Sequence, residues 1–164
     1  MIAKSTRSFC ALVSLTVILC YFGGEECVAA EASQPFAAFN PKVEIDIEDG
    51  EIEIMASFTL GAGSNGLDLA KDIVTLQLKG GAGAYSVAIP AGSFKKDGSG
   101  GFKFQGTINR VKLLEAAIRP ARAGGFEFEI QTEGANLKGI ANPITVSLTI
   151  GDHGGSKTVR AKIE

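Results

Sequence analysis

The sequence predicts an all-β fold: an antiparallel β-sandwich, immunoglobulin-like or similar, of about nine strands. A small closed β-barrel is the alternative. Three observations predict it. Apolar and polar residues alternate with a period of two in run after run, the mark of a strand with one buried face. Glycine, 21 of 164 residues, punctuates those runs, and turns recur roughly every 8–12 residues, as in sandwiches and barrels. Only Arg110–Arg119 has helical propensity, and it ends at Pro120 between two clear strands, so it is read as strand.

The chain opens with an export segment. Lys4 and Arg7 precede the uncharged run Phe9–Phe22, which is long enough for a signal-peptide core and short of a spanning helix. Val28-Ala29-Ala30 supplies compact residues for a signal peptidase, placing cleavage after Ala30. Cys10, Cys20 and Cys27 all fall in this segment, so the mature chain enters an oxidising compartment without a disulfide. Residues 1–30 are thus a signal peptide of bacterial layout, 31–41 an extended leader with little structure of its own, and 42–164 a single β domain. Losing Lys4, Arg7, Glu25 and Glu26 leaves the net charge at −2. That balance excludes a nucleic-acid binder. No membrane span follows the signal peptide.

The elements come in order. Val43, Ile45 and Ile47 alternate with Glu44, Asp46 and Glu48. Asp49-Gly50 turns the chain, because glycine takes the positive φ of a tight hairpin. Ile52 and Ile54 resume against Glu51 and Glu53, and Ala56, Phe58 and Leu60 continue the strand. Gly61–Lys71 is a glycine-rich loop. Ile73-Val74, Leu76 and Leu78 mark the next strand, Gly80–Gly83 a turn, and Tyr85, Val87 and Ile89 another strand that Pro90 ends. Ser93-Phe94 is a short edge piece, and Lys95–Gly101 an exposed turn. Phe102, Phe104 and Ile108 share a strand, and Phe126, Phe128 and Ile130 alternate with Glu127, Glu129 and Gln131. Ile144, Val146, Leu148 and Ile150 follow Asn142-Pro143; Gly151–Gly155 turns; Val159, Ala161 and Ile163 close the chain.

Ser57-Phe58-Thr59-Leu60-Gly61 returns as Ser147-Leu148-Thr149-Ile150-Gly151, an internal echo between two hairpins. Ile89–Phe94, Gly101–Phe104, and Asn142–Val146 through Ile150-Gly151-Asp152 resemble an uncharacterised β-rich unit of bacterial secreted proteins. The resemblance covers residues 57–164. It implies an exported β-domain and brings no catalytic residue.

The chemistry is sparse. Gly61-Ala62-Gly63-Ser64-Asn65-Gly66 matches G-x-G-x-x-G, but no helix follows to face a pyrophosphate, so it reads as a loop. His153, the only histidine, sits in Asp152-His153-Gly154-Gly155 and reads as a solvated turn residue. One histidine without G-x-S-x-G does not make a hydrolase triad. Glu44, Asp46 and Glu48 share a strand face beside Glu51 and Glu53. Calcium takes oxygen ligands in flexible geometry, so Glu44, Asp46, Asp68, Asp72 and Asp97 are its candidate ligands. No other cofactor is indicated. Lys95, Lys96, Lys103, Arg110, Lys112, Arg119 and Arg122 form a basic stretch, which with the acidic hairpin suggests weak self-association.

The expectation is an exported, non-enzymatic module with a binding or structural role at the cell envelope, periplasmic or extracellular, whose partner is a protein or polysaccharide. The alternatives are a small carboxylate-dependent hydrolase and a calcium-stabilised adhesion module. The absence of Trp weighs against an aromatic sugar platform and leaves Tyr85 and Phe side chains for that role.

Overall fold

The computed structural model describes residues 34–122 and 124–164. The expected signal peptide and its cleavage point lie outside them. Twelve strands follow in chain order: β1 (Gln34–Pro35), β2 (Ala38–Asp46), β3 (Glu51–Thr59), β4 (Val74–Gly80), β5 (Gly83–Ile89) and β6 (Lys95–Lys96). Then come β7 (Phe102–Ile108), β8 (Val111–Pro120), β9 (Phe126–Glu133), β10 (Ile144–Ile150), β11 (His153–Val159) and β12 (Lys162–Ile163). Three of the twelve are two-residue pairings, and eight of the nine longer strands lie where the sequence reading places a strand. The ninth, β11, begins inside the expected turn Gly151–Gly155, and the expected last strand, Val159–Ile163, divides between β11 in one sheet and β12 in the other; the edge piece expected at Ser93-Phe94 lies at Lys95–Lys96.

The strands form a five-stranded sheet, β1-β11-β10-β4-β5, and a seven-stranded sheet, β12-β2-β3-β9-β8-β7-β6. Neither closes on itself, so the barrel alternative is overturned. The chain crosses between sheets after each hairpin or meander, which leaves every sheet two edges. Inward residues of both sheets meet in one core: Ile52, Ile54, Phe58, Phe128 and Ile130 from the larger, Leu76, Leu78, Ile89, Ile144 and Leu148 from the smaller. Such alternation buries one face of each sheet and gives a sandwich-like layering.

The leader is not without structure. Gln34–Pro35 pairs with His153–Gly154, and Ala38–Pro41 is the first half of β2. Its aromatic residues supply the reason. The Phe36 ring stacks on Phe58 at 4.6 Å between centroids, and Phe58 stacks on Phe126 at 5.4 Å. Pro41 is tolerated because β12 reaches only Glu44 and Ile45, so no strand needs its missing donor.

Residues 111–120 are strand, as read, but with a twist in the count. The pairing register shifts on both sides of Leu114, which is an extra residue in β8. Leu113 points inward, and so do Ala116 and Ile118. The bulge changes which parity faces the core, and that change gives Leu113–Ala117 its helix-like pattern. Asn109 and Arg110, with φ of 51° and 70°, make the two-residue turn between β7 and β8.

The two halves of the internal echo are not equivalent. Ser57–Thr59 lies in the larger sheet and leads into a crossover loop, whereas Ser147–Ile150 lies in the smaller sheet and enters a tight hairpin.

Candidate functional site

The carboxylates come first. Glu44 and Asp46 stand on the outer face of the larger sheet, directly opposite Glu53 and Glu51. Lys162 lies 3.8 Å from Glu44 and 2.9 Å from Glu164, easing the crowding. Asp46 Oδ1 accepts the amides of Glu48 and Asp49. Asp68 and Asp72 are brought together in the crossover loop, where Asp72 Oδ2 accepts the Asp68 amide at 2.7 Å. Asp68 pairs with Lys71 at 3.0 Å, and that hydrogen bond holds its carboxyl below the usual range. Asp97 stands apart. It accepts the Ser99 hydroxyl and the Ser99 and Gly101 amides, which lower its pKa, the hydroxyl most. Four of the five calcium candidates thus serve turn amides or lysines close in sequence, and Glu44 faces Lys162. Among the described residues no three His, Cys, Asp or Glu side chains are grouped to hold a metal.

His153 overturns its reading as a solvated turn residue. Only 1% of it is exposed. The turn is Gly151-Asp152, and His153 opens β11 opposite Ile150, at core-facing parity. The glycine-rich loop covers it. Nε2 lies 3.1 Å from the Gly66 carbonyl and 3.3 Å from both Ser64 Oγ and Asn65 Oδ1. The two features singled out in the sequence therefore meet, but not as a catalytic relay. A triad needs Ser and Asp on opposite ring nitrogens. Here Asp152 Oδ1, at 3.4 Å, is also nearest Nε2, and Nδ1 is buried without a partner. The imidazole pins the loop to the sandwich.

Tyr85 is buried, not available as a sugar platform. Burial pushes its hydroxyl up to about 12, offset slightly by the nearby Thr132. Neither hydroxyl finds a partner in hydrogen-bonding geometry.

Three of the seven residues of the basic stretch, Lys103, Lys112 and Arg119, are paired within their own sheet. Arg119 bridges Glu129 at 2.6 Å and Glu115 at 2.5 Å, Lys103 reaches Glu115, and Lys112 reaches Glu133, both at 3.0 Å. Lys103 first, then Arg119, hold Glu115 below the usual carboxylate range.

Beside Arg119 the outer face of this sheet is hollow. Asn40, Ser57, Glu127 and Arg119 lie in one row across β2, β3, β9 and β8, with Ala38 and Thr59 in the next. Short side chains on β2 and β3 leave a depression that longer ones on β8 and β9 wall. Two adjoining hollows result, of about 850 Å³ and about 320 Å³, both lined by Asn40, Ser57, Arg119 and Glu127. Arg122 and Phe126 border the larger, and Lys42 and Met55, the latter 47% exposed, border the smaller. Lys157 donates to Asn40 Oδ1 at 2.7 Å and fixes that wall from the other sheet. The groove thus presents polar groups held in place by neighbours, Asn40 by Lys157 and Arg119 by Glu115 and Glu129. The sequence drew attention to Arg119 only as part of a charge run. The available signal was a run of short residues at outward parity.

No helix among the described residues is long and apolar enough to cross a membrane. No family model matches the chain, and no curated protein matches it. The fold and the groove together define an all-β, two-sheet domain with a polar surface cleft.

Proposed function

We propose that this chain is an exported, non-enzymatic binding module of immunoglobulin-like sandwich type. It works at the cell envelope or outside the cell, with residues 1–30 removed after Ala30. The groove across Asn40, Ser57, Arg119 and Glu127 carries the reading. Its ligand is an extended polar polymer, in the first place a polysaccharide. Sugar hydroxyls would exchange hydrogen bonds with Asn40, Ser57 and Thr59, and the Arg119 guanidinium, held charged by Glu129 and Glu115, would supply a fixed cation. Carboxylates engaged by turn amides and lysines weigh against both the carboxylate-dependent hydrolase and the calcium-stabilised module.

A thermal-shift panel of envelope polysaccharides tests it, run on the wild type and on Ser57→Phe, which fills the groove floor. A ligand at 100 times its Kd stabilises by about 2.7 kcal/mol. A shift that Ser57→Phe abolishes supports the groove. An equal shift in both proteins places binding elsewhere, and a flat panel refutes the polysaccharide reading. N-terminal sequencing of the exported protein tests cleavage: any first residue other than Glu31 refutes the Ala30 site.

A further inference from the structure

We propose that the free edge of the five-stranded sheet, strand β5, pairs with β5 of a second copy of this chain across a two-fold axis.

Exposed strand edges are pairing templates, and proteins blunt them with short strands, lysines, prolines or bulges. Three of the four edges here are blunted. β1 covers only His153-Gly154, and the rest of β11 carries Lys157; β12 covers only Glu44-Ile45, and the rest of β2 carries Pro41 and Lys42. Beyond β7 the edge is Lys95-Lys96, a two-residue lysine strand on Phe102-Lys103, and the rest of β7 is broken by the register shift between Phe104 and Gly106. β5 has none of these devices. It runs seven residues without proline or register shift, and no charged residue occurs from Gly80 to Phe94.

The register follows from the hairpin. Gly80 and Gly83 flank a two-residue turn, Gly81-Ala82, with Gly81 at φ 59°. In such a turn the flanking pair exchanges both hydrogen bonds, and bonded pairs then alternate. Gly83, Tyr85, Val87 and Ile89 therefore turn their peptide groups toward β4. Ala84, Ser86 and Ala88 turn theirs outward, to the vacant edge. An antiparallel partner using those groups sets Ser86 opposite its own copy and Ala84 opposite Ala88. Each Ala84 then meets the Ala88 of the second copy and each Ala88 its Ala84, the reciprocal pairing of an isologous contact. The three exposed side chains are small, so nothing obstructs the second strand, and Tyr85, Val87 and Ile89 stay in the core beneath. The one charged residue paired with β5, Lys79 beside Ala84, is cationic in both copies. Added salt would screen the repulsion between the two lysines and strengthen the pairing. Association through the acidic and basic faces would instead weaken with salt.

Sedimentation velocity on the chain purified after export tests this. Ser86→Pro removes an outward donor without touching the β4 ladder, and Ser86→Lys sets like charges opposite each other. Each is expected to weaken dimerisation by about tenfold or more, the worth of one or two net hydrogen bonds, while the unfolding midpoint of the monomer holds. An equimolar mixture of Ser86→Lys and Ser86→Glu should restore the dimer, because only a Ser86-centred register opposes those two residues. A wild type that stays monomeric at every concentration overturns the proposal. So do Ser86 variants that dimerise like the wild type, a mixture that fails to recover, or a dimer that salt dissolves.

Discussion

Gly155→Ala is a small change with a calculable cost. Gly155 sits at core-facing parity in β11, and a Cβ there would stand 2.7 Å from Phe36 Cδ2 and 3.2 Å from Phe39 Cβ. The first separation is too short, so the Phe36 ring must shift, and complete loss of its place sets the upper limit of the cost. Full burial of a phenylalanine is worth about 1.5–3 kcal/mol; Phe36 is half-buried, which puts its share near ~1–1.5 kcal/mol. Its stack on Phe58 adds ~0.5–1.5 kcal/mol. Gly→Ala also narrows the unfolded ensemble, returning ~0.5 kcal/mol. The net loss is at most about 1–2.5 kcal/mol, read as a lower urea midpoint at unchanged slope. The control is Phe36→Ala. In that background no ring opposes the new methyl, so Gly155→Ala should change stability by less than about 0.5 kcal/mol. The two substitutions would then be strongly non-additive. Additivity to within roughly 0.3–0.5 kcal/mol, the behaviour of independent sites, would refute the reasoning and free residues 34–39 from the sandwich.

Further predictions concern buried and charged groups. Thr132→Val removes a buried, unpartnered hydroxyl and should raise stability by about 1 kcal/mol; a loss on urea denaturation would mean the hydroxyl is satisfied. Asn142 accepts the Ala161 amide at 2.7 Å and donates to its carbonyl at 2.9 Å, so Asn142→Ala should cost ~1–3 kcal/mol. Early loss of hydrogen-exchange protection at Lys162–Ile163 would check that this bridge docks β12. Glu115 has its pKa lowered in the fold by Lys103 and Arg119. A lowered folded pKa gives stability that is complete above the unfolded value and drains as pH falls through the folded one. Glu115→Gln should therefore flatten the acid limb below about pH 4.5, by at most ~1 kcal/mol for so exposed a network. An unchanged limb in a pH series of denaturation midpoints would contradict it.

What the sequence disclosed depended on the range of the interactions. Period-two runs such as Glu51–Thr59 and Ile144–Ile150 announced their own burial, because alternation is a local property. Hairpins were legible where glycine marked the turn, at Gly50 and Gly81. Other features depend on residues far apart in the chain. His153 looked exposed because a turn motif surrounds it, yet its parity opposite Ile150 and the loop at Ser64–Gly66 decide its burial. The leader looked bare because Phe36 finds Phe58 and Gly155 only after the sheets assemble. The groove was hidden for the same reason: Asn40, Ser57, Glu127 and Arg119 become a row only through strand register.

The extra residue at Leu114 makes β8 a strand with two reading frames. Upstream, even-numbered Lys112 faces water; downstream, odd-numbered Arg119 does. Deleting Leu114 would make Leu113 opposite Thr132 and Glu115 opposite Gln131 neighbouring pairs, so the ladder would run regularly and Arg119 would stay opposite Glu127 on the groove side. The extra residue is slack in the strand. The chemical character of this surface is therefore set by register with β9 and not by the count along β8, and it survives a one-residue deletion at the bulge.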